Sequence, residues 1–137
     1  MSVRTPSQTE VLLEQAEQIL AGVTSSGSAN PNRIACWVAR RALELLIIEL
    51  LVRRSINTGA ANMRSLLICL SVTYQDEPGL VLAAQSGWDQ LSGACHQHAY
   101  ELAPTHAEVV RMLDAVRTLA GFVEAAPEVS ALPALGA

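Results

Sequence analysis

Hydrophobic and polar positions follow a helical period over most of the chain. In TPSQTEVLLEQAEQILAG, residues 5–22, Val11, Leu12, Ile19 and Leu20 form an apolar stripe, and Ser7 precedes Glu10 at capping-box spacing. VTSSGSANPN then breaks the period with Gly, Ser, Asn and Pro. Asn30 and Pro31 supply an N-cap and a first-turn proline for a second helix reaching about Arg54. Its middle, LELLIIELLV, is apolar around most of its circumference. Such a helix must touch several neighbours or a second subunit, and this one is predicted to be central.

NTGAAN punctuates the chain before MRSLLICLSVTY, whose β-branched residues permit a strand or a helix. No second strand pattern exists to pair with it, so its backbone groups are better satisfied within a helix. QDEPG is a turn, and Pro78 starts a fourth helix that is predicted to end at Pro104. Its inward stripe is Val81, Ala84, Trp88, Leu91, Cys95, His98 and Leu102. Thr105 and Glu108 form another capping box for a fifth helix running to about Ala125. The pattern predicts an all-α, five-helix, up-and-down bundle: one domain over residues 1–126 and a flexible Ala- and Pro-rich tail over 127–137.

Composition refines this picture without changing it. The chain has 137 residues, enough for one core without disulfides or a structural metal. Half of them are hydrophobic but only 4% are aromatic, so aliphatic side chains must build that core. All nine basic residues are arginine, and the formal net charge is −4, which argues against nonspecific duplex DNA binding. Six arginines lie between residues 33 and 64, so any RNA or partner contact from arginine would use Arg33, Arg40, Arg41, Arg53, Arg54 and Arg64. Local charges compete for them: Glu44 is four after Arg40, and Glu49 is four before Arg53. Cys36, Cys69 and Cys95, odd in number and set among apolar neighbours, read as buried thiols of a reducing compartment. The polar start MSVRTPSQTE does not resemble a signal peptide, and the longest apolar run is too short and too acidic for a membrane span. The expected location is the cytoplasm, with no cofactor.

The densest chemistry lies in SGACHQHAYELAPTHAE, residues 92–108. On an intact helix His96 and His98 point to opposite sides, so they cannot chelate one ion together. Cys95 with His98 has zinc-pair spacing, with His106 and Glu49 as conceivable further donors, but Glu-x-x-His is absent. Asp89, Ser92, His96 and Tyr100 follow one another down the outer face. A mid-helix serine lacks the exposed turn and oxyanion hole of a hydrolase, so this series reads as a polar surface row. Glu49 is either a buried carboxylate facing His98 or the local partner of Arg53, and the second reading is preferred.

A helical bundle with a long apolar central helix and a late helix ending in His-x-Tyr resembles the HEPN superfamily; here the motif is His98, Ala99 and Tyr100. The stretch WDQLSGACHQHAYELAPT also looks like one found in small helical actinobacterial proteins of unassigned function. HEPN resemblance implies a homodimer whose interface carries Arg, four to six residues, then His, and cleaves RNA in toxins and phage-defence systems. This sequence departs from that pattern: the arginine positions hold Leu91, Ser92 and Gly93 before His98, and Asp89, Gln90 and Leu91 before His96. The expectation is therefore a non-catalytic, homodimeric interaction or regulatory module. Its alternative is a metal-independent ribonuclease of a defence or toxin–antitoxin system, with candidate residues His98, Tyr100 and His96 and an arginine borrowed from Arg40 or Arg41 of either subunit. A zinc-binding bundle using Cys95 and His98 is a second alternative.

Overall fold

The computed structural model describes residues 5–22, 30–96 and 102–125. Five helices occur among them: α1 (Gln8–Leu20), α2 (Pro31–Arg53), α3 (Met63–Thr73), α4 (Pro78–Cys95) and α5 (His106–Ala125). The all-α expectation holds, and no described residue is in a strand.

Local signals start the helices where the sequence places them. Ser7 and Glu10 form both arms of a capping box on α1, which together satisfy two of the amides that a helix start leaves open. The Asn30 side chain accepts from the amides of Asn32 and Arg33, with Pro31 behind it. Asn62 caps α3 through the Ser65 amide. Thr105 and Glu108 repeat the capping box at α5.

α2 is the axis of the bundle and packs on all four other helices. Leu43, Leu46, Ile47, Leu50 and Leu51 are all at most 2% exposed. At about 1.5–3 kcal/mol for each fully buried large aliphatic, the apolar circumference of α2 is spent inside the chain. The sequence left several neighbours or a second subunit open, and the neighbours take it. One contiguous core draws on every helix. α4 closes directly on α2, where a Cβ added at Gly87 would lie 3.4 Å from Leu43 Cδ2.

Two details of the patterning change. The inward face of α1 is Leu13 and Ala16, with Thr9, whereas Val11 is exposed and Leu12, Ile19 and Leu20 sit at its margin. α3 is not a further antiparallel leg. Its C-terminal end meets the end of α2, because the Tyr74 hydroxyl donates to Leu50 O and Arg54 donates to Thr73 O. An antiparallel α3 would carry Tyr74 about 16 Å back along α2. The four long helices alternate, and α3 is inserted into the α2–α4 connection.

No helix among the described residues is long and apolar enough to cross a membrane. The tail predicted from residue 127 onward lies outside the described residues.

Candidate functional site

α4 ends earlier than its apolar spacing predicts. Cys95 is its last residue, His96 is the C-cap with its amide on Ser92 O, and Leu102 lies outside any helix at 91% exposure. Gly93 sits in the last turn, where its low helix propensity weakens propagation. The observed inward face is Leu80, Val81, Ala84, Gly87, Leu91 and Ala94, with Trp88 and Cys95 at its edge. His98 and Tyr100, and with them the His-x-Tyr motif, lie outside the described residues.

The six arginines do not form one surface. Arg41 pairs with Glu44 at 2.8 Å, displacing the expected Arg40–Glu44 pair. Arg53 reaches Glu49 at 3.4 Å and also donates to Val123 O, so the local reading of Glu49 applies. Arg54 grips Asp76 with two bonds of 2.7 and 3.0 Å and lies over the Tyr74 ring at 3.8 Å. Arg64 is exposed at the start of α3. Arg33 and Arg40 remain together: seven residues apart, they share one face of α2, and the Arg40 guanidinium stacks over Trp88 at 4.6 Å.

The Arg40–Trp88 contact sets the register of the α2–α4 groove. Leu43 meets Gly87 and Arg40 meets Trp88, so the helices run antiparallel and Ser92 and Cys95 lie beside the α2 turns nearer its start. Burial pushes the Cys36 thiol up to about 11, assisted by the nearby Cys95 and Glu108. Burial also raises Cys95, while the positive charge of Arg40 partly offsets it. Both thiols are therefore poor nucleophiles near neutral pH. Cys69, expected inside, is exposed on α3.

Of the zinc alternative's donors, His98 lies outside the described residues, and Cys95, His106 and Glu49 can be placed. No group of three His, Cys, Asp or Glu side chains there could hold an ion. Glu49 lies thirteen residues along α2 from Cys36, about 20 Å, which separates it from Cys95 as a shared zinc donor. Ser92 Oγ is buried without a hydrogen bond, so neither Asp89 nor the exposed His96 activates it. Ser92 thus leaves the predicted surface row, its hydroxyl buried.

Two concave surfaces complete the picture. A 640 Å³ cleft between α4 and α5 is lined by Asp89, Gln90, Gly93, Glu108, Arg111 and Met112. It sets Asp89 and Glu108 on the same lining as Arg111, with Ala94 and Pro104 between them. A shallower 360 Å³ groove between α3 and α4 is lined by Ser71, Tyr74, Gln75, Pro78, Val81 and Leu82. Around it Ile68, Val72 and Leu82 are 58, 62 and 67% exposed. Residues 65–75 and 78–88 contain no charged side chain. The apolar run in α3 was visible in the sequence, but only the fold turns it outward.

No protein-family model matches the chain, and comparison with curated proteins and solved structures gives no match.

Proposed function

We propose that this chain is a non-catalytic helical interaction module that works as a homodimer, HEPN-like in the order of its helices. The observation that carries the reading is the uncharged, apolar outer surface of α3 and the first half of α4, with Ile68, Val72 and Leu82 each more than half exposed. Contiguous exposed apolar surface of this kind marks an interaction site more often than bare solvent-facing helix. A two-fold interface brings each patch against its own copy, and in a chain of net charge −4 an uncharged patch lets two copies meet without like-charge repulsion.

Sedimentation velocity across micromolar concentrations tests the proposal. The expected result is a dimer that dissociates in Ile68→Glu and in Val72→Glu, with helical circular dichroism unchanged. A wild-type monomer throughout that range, or a dimer indifferent to both substitutions, overturns it.

One observation favours a second reading, the ribonuclease. Arg40 lies against Trp88, two turns before the end of α4, and its positive charge acts on Cys95 at that end, so an arginine from α2 approaches the stretch where the histidines begin. Histidine would act there as general acid or base, and arginine would stabilise the charge developing on phosphorus. Metal-independent RNA cleavage that disappears in both His98→Ala and Arg40→Ala would put this reading ahead of the non-catalytic one.

A further inference from the structure

The last turn of α2 holds two other helix ends close together. Arg53 donates to Val123 O in the last turn of α5, and the adjacent Arg54 donates to Thr73 O at the end of α3. At the other end of the bundle Asn32 donates to Pro104 O, beside the start of α5. α2 and α5 therefore run in the same direction, α4 runs against both, and α5 ends beside the start of α4. The α3–α4 groove opens at this same end, where Tyr74, Gln75 and Pro78 line it with Ser71, Val81 and Leu82.

Residues 126–137, APEVSALPALGA, follow α5 from that end. Extended, they reach about 40 Å. α3 and α5 both pack on α4, so the path from α5 to the groove crosses one helix, about 10–12 Å wide. The segment also matches the groove in kind. Val129, Leu132 and Leu135 recur at every third residue, and Pro127 and Pro133 favour the polyproline II form, which repeats every three. In that form the three side chains share one edge at intervals of about 9 Å. The α4 wall of the groove, Pro78 to Gln85, measures about 10 Å, which accommodates two of them. Beyond Glu128 the segment carries no charged side chain, and neither does the groove lining. The larger α4–α5 cleft matches it poorly, being lined by Asp89, Glu108 and Arg111 and lying at the opposite end, beside Pro104.

We infer that residues 129–135 dock in the α3–α4 groove of their own chain, with Leu132 and Leu135 seated against Tyr74, Val81 and Leu82. A proline-containing apolar segment entering a groove with an aromatic floor loses little entropy on ordering, because the polyproline II form is already preferred in the free chain. The docking stands without the proposed dimer. Its consequence rests on that dimer: Leu82 belongs to both surfaces, so the docked segment competes with a second copy.

Nuclear Overhauser spectroscopy of the full-length, methyl-labelled chain tests the inference, in a Val72→Glu background that removes the proposed dimer but leaves the groove lining intact. The expected result is contact of the Leu132 and Leu135 methyls with Val81, Leu82 and the Tyr74 ring, persisting when labelled chain is diluted into excess unlabelled chain. Leu82→Glu, at a position already 67% exposed, should abolish these contacts with circular dichroism unchanged. In the chain with Val72 restored, Leu132→Glu together with Leu135→Glu should tighten the dimer by about fourfold or more, the effect of freeing a face that is half covered on each of two protomers. Absence of the contacts overturns the docking and leaves the dimer standing, and contacts that vanish on isotopic dilution overturn it by placing the segment on another copy. Contacts present in a chain that is monomeric throughout uphold the docking and remove the dimer. A dimer unmoved by the paired substitutions overturns the competition.

Discussion

Arg54 and Tyr74 show how a side chain's function is decided by what it touches. The Arg54 guanidinium donates to Thr73 O at 2.7 Å and to both oxygens of Asp76, and it stacks on Tyr74. Asp76 is held below the usual carboxylate range by its hydrogen bond with Arg54. Arg54 therefore works as a clamp between the end of α2 and the turn after α3, and its charge is committed within the chain. Tyr74 completes the clamp from below: its hydroxyl donates to Leu50 O, one of the last carbonyls of α2, which a helix end leaves short of donors. Tyr74→Phe keeps the ring under Arg54 and deletes that donor. Urea denaturation should register a loss of about 1–2 kcal/mol at unchanged m value. Residue-level reasoning from sequence succeeds where the partner is local, as with Glu49 and Arg53. It fails for Arg40, where spacing offers Glu44 and the fold supplies Trp88 from forty-eight residues away.

At the scale of elements, helix starts were legible, and the ends of α2 and α5 fall where the pattern puts them, near Arg54 and Ala125, whereas the end of α4 does not. Starts are written in short side-chain codes, as with Ser7 and Glu10, Asn30 and Pro31, and Thr105 and Glu108. Ends depend on backbone conformation, which glycine advertises and other residues conceal. α1 stops where Gly22 takes a φ of 75°, a signal the sequence displays. α2 stops at Ser55, which adopts a φ of 63°, while the Ser55 amide bonds Val52 O and the Ile56 amide bonds Leu51 O. This is a Schellman closure with serine in the place that glycine usually fills. A residue with a Cβ is disfavoured there by roughly 1–2 kcal/mol, and glycine returns part of that gain as unfolded-chain entropy. Ser55→Gly should therefore raise stability by about 0.5–1 kcal/mol in thermal or urea unfolding; a loss would mean that the serine side chain supports the turn. The end of α4 was hidden for a related reason, since three-four apolar spacing continues to Leu102 although the helix does not.

For the whole molecule, the central placement of α2 followed from its sequence, because a helix apolar on every side has nowhere else to go. The α2–α4 groove did not follow. Its residues are far apart in the chain, and their meeting depends on the antiparallel register that Gly87 permits against Leu43. The same register buries Cys36 beside Cys95, which ties global stability to alkaline pH. Cys36 is fully buried, and its thiol is raised from 9.0 to about 11 in the folded chain. Below pH 9 both folded and unfolded chains keep the proton, and the thiol adds no pH dependence. As pH rises from 9 toward 11, the unfolded chain releases it while the folded chain holds it, so the unfolded state is favoured progressively. The full effect is roughly 2–3 kcal/mol of lost stability once pH passes the folded value. Tyr74, also raised by burial, acts in the same direction at the upper end of this window. The check is urea denaturation of wild type and Cys36→Ala at about pH 8 and about pH 10.5, comparing the pH-dependent loss within each protein so that the small core truncation cancels. The loss should be clearly smaller in Cys36→Ala, and equal losses in the two proteins would show that the folded core leaves the ionisation of this thiol unaltered.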